Sequence, residues 1–557
     1  MSSLWKRQAA ERASSILEKI PPEWRLSPND LAYARTQRNI TGPVISKYLD
    51  QFEQELLTHD SSSILSKLWN GRWTAVQCVQ AFSKIACIAH QINPCLLNIM
   101  IPEALEKARK LDESFQKGGG SVKGFLHGLP ISVKDQFHVK DSDTTMGYVG
   151  WIGTFEGDGG SDQVGMVESQ IIAELEGQGA VVFCKTSLPQ TVLYDETINN
   201  IIGQTFNPVN RLLSCGGSSG GEAALIAMGG SSLGMGTDIA GSIRVPAAFC
   251  GIYGIKPSHN RFSSRGVANT NLGQTLIPSS VGFLSRSLEG LELVMNSLLS
   301  TSPWLRDPAV VPIPWRQEAR LGARKKLRVG IFWWDGMVQP HPPVERALEM
   351  VVAALKHAGH ETEVVDWDPP SHTLPERLHP AIMNADGSHD IQKQLALSGE
   401  PLIDDLQSFY QLKAPMSLLA YQDLALQLRD YRQAYADYWN STADDAGHVV
   451  NAVLMPAAPH AAVIPGKWEH LAYTEVLNLL DYTTLVIPIT HVDKEIDQHH
   501  AHVPVSAKDL QNWLAYDGEV YDGAPVGIQI VGRNCEEEKI VGVAEMVKKA
   551  LENMRGS

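Results

Sequence analysis

Two glycine-rich segments, Gly216-Gly217-Ser218-Ser219-Gly220-Gly221 and Gly236-Thr237-Asp238-Ile239-Ala240-Gly241-Ser242-Ile243-Arg244, constrain the fold more than any other feature of this chain. Glycine tolerates φ > 0 and lets backbone N–H groups come close to a ligand. Both segments therefore read as tight turns, and each presents serine hydroxyls in a setting where only small residues fit. Upstream, Gly128-Leu129-Pro130-Ile131-Ser132-Val133-Lys134-Asp135 ends an apolar, strand-like run on a lysine. Serines on glycine turns plus one nearly buried lysine are the parts of a serine hydrolase whose base is lysine and not histidine.

Other readings of the first turn are weaker. Gly216-Gly217-Ser218-Ser219-Gly220 also satisfies G-x-S-x-G, the nucleophile elbow, with Ser218 as nucleophile. That motif needs an apolar strand entering the turn, and Arg211-Leu212-Leu213-Ser214-Cys215 is a poor one. A phosphate cradle needs Lys-Ser/Thr after the glycines, and none follows. The serines could simply cap a helix at Gly221, but that leaves the second serine motif and the lysine unexplained.

The three blocks, in this order, resemble the amidase signature family: a lysine after Gly-Leu-Pro-Ile, then GGSSGG, then GTDIGGSIR about two dozen residues on. The likeness extends to Met146-Gly147-Tyr148, Pro342-Pro343, Ala385-Asp386-Gly387-Ser388, Asn478-Leu479-Leu480-Asp481 and Gly523-Ala524-Pro525-Val526, which are similar to the fungal acetamidase branch. The resemblance implies an α/β fold of three layers, α/β/α, with a central mixed sheet and a helical N-terminal section, built as one amidase domain over 1–557. It implies Ser242 as nucleophile, Ser218 as bridging serine and Lys134 as base. Backbone N–H groups of Ile239, Ala240, Gly241 and Ser242 would form the oxyanion hole, with no cofactor and no metal. The implied reaction is hydrolysis of a small carboxamide to carboxylate and ammonia through an acyl-enzyme. Ala240 stands where the family has glycine, which is tolerable if its φ stays negative.

A lysine base must be neutral near pH 7, so burial has to lower its pKa from about 10.4. A carboxylate on the ammonium would oppose that shift, so Asp135 should point away, as strand alternation allows. Asp238 and Arg244 are expected to brace the loop with charge-assisted hydrogen bonds. Met146, Gly147, Tyr148, Tyr194 and Ser218 are the candidates for lining the acyl pocket; the bland alternative for the aromatic and Met residues is plain core. His499, His500 and His502 near Asp497 fit no zinc spacing and read as a polar loop, and His389 and His460 read as structural.

The net charge of −15 argues against nucleic acid or anionic membrane as partner. No apolar run reaches a membrane span, and Met1 to Ile20 shows helical spacing without a signal-peptide core. Seven cysteines without a CxxC pair point to reduced thiols and a cytoplasmic protein acting on a small-molecule amide, with a homodimer left open. The periodicity predicts a mostly helical section to about residue 115, the signature core over 125–300 and a helical, cap-like segment over 371–447. Strands are predicted at Leu129–Val133, Val181–Lys185, Leu327–Trp333, Glu361–Asp366, Val449–Met455, Thr484–Ile489 and Val526–Val531. The rivals are a lipid-amide or indole-3-acetamide hydrolase, a transamidase subunit, and a non-catalytic binding protein on the same scaffold.

Overall fold

The computed structural model describes residues 4–322, 327–358, 362–468 and 470–556. Helices dominate up to Lys117, from Leu4–Glu18 through Ala75–Ile92 to Ile101–Lys117. Residues 75–92 form a helix because Thr74 caps it reciprocally with Gln77, and because apolar residues occupy most of its surface, which is buried.

One sheet of eleven strands follows. In chain order they are β1 (Leu96–Ile99), β2 (Pro130–Lys134), β3 (Val181–Thr186), β4 (Leu233–Asp238), β5 (Tyr253–Lys256), β6 (Ser280–Ser285), β7 (Leu327–Ile331), β8 (Thr362–Asp366), β9 (Ala452–Pro456), β10 (Thr484–His491) and β11 (Pro525–Val531). Their spatial order is β1-β3-β2-β4-β6-β5-β10-β11-β9-β7-β8. The pairs β2/β3, β2/β4, β9/β7 and β7/β8 are parallel and the others antiparallel, which makes the sheet mixed. Every residue of β2, β3, β4, β6, β9 and β11 is buried, so the sheet is covered on both faces, giving the three-layer α/β/α arrangement. Because β1 and β11 lie in the same sheet, the signature region and the C-terminal third share one frame.

The predicted strands are present to within a few residues; Glu361, the first residue of one, lies outside the described residues. β4 escapes the sequence reading because Leu233-Gly234-Met235-Gly236 looks like a turn. Its glycines serve close approach: a Cβ at Gly234 would lie 2.0 Å from Glu222 Oε2, and one at Gly236 would lie 2.5 Å from Ser219 Oγ. Thinning the strand there lets the helix Gly220–Ala227 press its polar start onto the sheet.

Candidate active site

β2 and β4 run parallel, with Ser132 and Val133 opposite Gly234 and Met235. Both strands therefore end at the same edge, where open α/β sheets form their crevices. Lys134 closes β2 there, and Thr237 and Asp238 close β4. Lys134 is fully buried. Its Nζ lies 2.6 Å from Ser218 Oγ and 3.2 Å from Thr237 Oγ1. Thr237 donates its own hydroxyl hydrogen to Gln136 Oε1 at 2.6 Å, so it offers a lone pair to the amine.

Burial is the dominant influence on Lys134 and lowers its pKa to about 7, while Asp238 and Glu222 pull weakly the other way. Neither is paired with it. Burial also pushes the Glu222 carboxyl up to about 8, with the Ser132 and Thr186 hydroxyls opposing, so it is largely protonated at neutral pH. Glu222 accepts from those hydroxyls at 2.6 and 2.9 Å. Asp135 faces the opposite way: it pairs with Lys185 at 2.8 Å and accepts from Thr145 and Met146. Strand alternation thus keeps the adjacent carboxylate off the amine.

The two turns are stitched together by the Ser219 N–H, which donates to the Ser242 carbonyl at 2.9 Å. The first turn can lie this deep because Gly217 has no side chain; a Cβ there would meet the backbone of Tyr194, Asp195 and Glu196 at 2.7–2.9 Å. Asp238 organises the second turn. Its carboxylate accepts from the N–H groups of Gly241 at 2.9 Å and Ile243 at 3.1 Å, and from the Arg244 guanidinium at 2.9 and 3.0 Å. Burial opposes its ionisation, but Arg244 holds the carboxyl well below the usual range. Arg244 reaches on to Thr474 O, Gln529 and Asn478.

Of the four N–H groups expected to form an oxyanion hole, one already has a partner. The Gly241 N–H is engaged by Asp238, which leaves the N–H groups of Ile239, Ala240 and Ser242. Each of these belongs to a planar peptide whose carbonyl points the opposite way, so anchoring the carbonyl aims the N–H. Asn478 Nδ2 donates to Asp238 O at 3.2 Å, the His379 Nε2 lies 3.2 Å from Ile239 O, and Val245 N donates to Gly241 O at 2.8 Å. Gly241 has φ +137°, whereas Ala240 keeps a negative φ, so its methyl group causes no backbone strain.

A cleft of about 360 Å³ opens beside Ser242 and the Ile239–Ala240 peptide. Its wall includes Tyr194, Asp195, His379, Met383, Phe409, Tyr410, Trp468 and Glu475. Several come from the segment 371–447, whose helices Thr373–Met383 and Leu418–Ser441 pack against each other. Of the expected pocket residues, Tyr194 lines this cleft. Met146, Gly147 and Tyr148 do not: Met146 and Tyr148 lie with Trp151, Leu188 and Val192 in a separate buried cluster, and Gly147 packs on the Pro189–Gln190 backbone. Ser218 is not on the wall of this cleft and is hydrogen-bonded to Lys134. His379, Glu475, Thr237 and Gln136 were not singled out in the sequence, because an isolated His or Gln carries no spacing signal.

The C-terminal histidines surround Trp513. His499 Nε2 lies 3.0 Å from Tyr516 O, and His500 and His502 meet Glu345 and Asp509 at 2.8 and 2.9 Å. His460 is buried against Phe249 and Trp468.

The chain matches the family model described as amidase over residues 77–541. It is 39% identical to the acetamidase of Emericella nidulans, covering 100% of both chains, and 39% identical to that of Aspergillus oryzae, covering 99% of both. Amidase 1 of Gibberella moniliformis is 40% identical over 87% of this chain and 92% of its own. Among solved structures, fatty acid amide hydrolase is similar with a TM-score of 0.88 and 29% identity, covering 98% of this chain and 95% of that one.

Proposed function

Since the chain belongs to the amidase family and hydrolyses amide C–N bonds, we propose that it does so through Ser242, Ser218 and Lys134. The observation that carries this reading is the buried, carboxylate-free Lys134 amine 2.6 Å from Ser218 Oγ. Neutral Lys134 accepts the Ser218 proton as Ser218 accepts that of Ser242. Ser242 Oγ bonds to the carbonyl carbon, and the resulting oxyanion is held by the N–H groups of Ile239, Ala240 and Ser242, usually the largest single contribution to such catalysis. Collapse breaks the C–N bond, and the leaving nitrogen takes the proton back along the same relay, departing as ammonia. Water, deprotonated by the relay, then cleaves the acyl-enzyme to the carboxylate.

The relatives named acetamidase support a small primary carboxamide. The cleft supports a second reading. About 360 Å³ with Tyr194, Phe409 and Trp468 on its wall is the scale of a larger ligand, so an arylalkyl amide would fill it where acetamide would not. Seven free cysteines, six of them buried, suit a reducing compartment, and we place the enzyme in the cytoplasm, acting alone or as a homodimer. Among the described residues no helix is long and apolar enough to cross a membrane.

The test is ammonia release by the purified chain from a panel of acetamide, longer acyl amides and arylalkyl amides. A fluorophosphonate should label native enzyme on Ser242, and Ser242→Ala should be inert. An adduct on Ser218 or Ser219 would overturn the assignment, and activity only with an added protein partner would favour a transamidase subunit.

A further inference from the structure

The hydroxyl relay leaves two buried ionisable groups of the cleft wall unused. His379, on the helix Thr373–Met383, and Glu475, on the helix Ala472–Leu479, are 6% and 3% exposed. Glu475 Oε2 lies 3.3 Å from His379 Nδ1, and His379 Nε2 lies 3.2 Å from the Ile239 carbonyl oxygen. A carbonyl can only accept, so Nε2 carries hydrogen. Nδ1 then turns a lone pair towards Glu475, so their 3.3 Å approach is favourable without charge only when the carboxyl carries the hydrogen. The alternative, imidazolium against carboxylate, would place two charges where neither is solvated.

We propose that His379, held by a protonated Glu475, is a positioning residue that aims the Ala240 N–H at the oxyanion. This role rests on the reading above, in which that N–H is an oxyanion donor. Planarity sets the Ile239 carbonyl and the Ala240 N–H in opposite directions, so pulling the first towards His379 turns the second into the site. The other two donors are anchored from within the second turn or from Asn478. The Ala240 donor is anchored from the segment 371–447, which also forms part of the cleft wall.

The surroundings fit a neutral pair. Burial pushes Glu475 well above the usual carboxylate range; Glu376, Asp195 and Asp335 add to the shift and Lys508 opposes it. Burial lowers His379 to about 4, with the Ile239 carbonyl and Asp238 opposing.

The experiment compares His379→Leu, His379→Gln, Glu475→Leu and Glu475→Gln in amide hydrolysis. It also measures inhibition by a trifluoromethyl ketone, whose Ser242 adduct carries an oxyanion. Losing a whole donor costs about 10²–10³-fold in kcat, so misaiming one is expected to cost about 10- to 10²-fold. The Leu variants should show that loss in kcat and in ketone affinity with KM nearly native. Glutamine at 379 still donates to Ile239 O, and glutamine at 475 still donates to Nδ1, so both should recover most of kcat. If His379→Leu does not fold, His379→Ala, which also leaves Ile239 O without this donor, takes its place with the same expected loss. A Glu475→Gln enzyme as impaired as Glu475→Leu would overturn the neutral pair. Native ketone affinity in either His379 variant that has lost kcat, or native kcat in His379→Leu, would overturn the positioning role. An active Ser242→Ala enzyme would instead overturn the underlying reaction, so the two failures are distinguishable.

Discussion

Replacing Lys134 with methionine removes the proposed base and also a buried cationic group, and the two effects have opposite signs. Unfolded, the amine titrates at 10.5; in the folded chain burial lowers it to about 7. At 1.36 kcal/mol per pH unit this is a destabilisation of about 4–5 kcal/mol at or below pH 7. Between pH 7 and 10.5 the unfolded state binds more protons than the native state, so native stability from this group rises with pH and the penalty is gone above 10.5. Methionine is nearly isosteric but loses the hydrogen bonds to Ser218 and Thr237, worth about 1 kcal/mol each. Lys134→Met is therefore expected to be more stable than native by about 2–3 kcal/mol at pH 6–7, with the advantage vanishing near pH 9, where about 2 kcal/mol of penalty remains. Amide turnover should fall at least about 10²-fold, and ester turnover less, since an alkoxide leaves more readily unprotonated. In the native enzyme the rate should rise with pH through about 7, as Lys134 loses its proton. The assays are Tm by scanning calorimetry at one scan rate from pH 6 to 9, and ammonia release across the same range. A variant less stable than native at pH 6, or one that keeps the native rate and ascending limb, would refute the reasoning.

Two further outcomes follow from the packing. Asp238→Asn leaves the Arg244 guanidinium buried without its charge partner, so it should cost about 3–5 kcal/mol and lower Tm, with activity lost as the second turn loosens. Trp468→Ala should cut kcat/KM for arylalkyl amides about 10-fold while leaving acetamide nearly unchanged, measured by ammonia release; equal losses on both would count against the cleft as the acyl site.

The segments that carry Lys134, Ser218 and Ser242 stood out in the sequence because each is a local motif, and the proposed roles came from their resemblance to the amidase family. A glycine turn, a strand ending on lysine and the spacing between blocks all lie within short windows. The strands β2, β3, β9, β10 and β11 were legible for the same reason, as short apolar runs. β4 was not, since its glycines look like a turn until the helix Gly220–Ala227 is seen pressed against them. Asp135 pointing away from the amine followed from period-two alternation, but its partner Lys185 came from a neighbouring strand. Tertiary structure alone decided the rest. The Gly241 N–H turned out to be held by Asp238, Met146 and Tyr148 went to a separate cluster, and His379, Glu475 and Phe409 arrived at the cleft from a segment more than a hundred residues downstream of the nucleophile. Their physical cause is burial and peptide orientation, which depend on which surfaces meet, and no pattern along one chain segment encodes that.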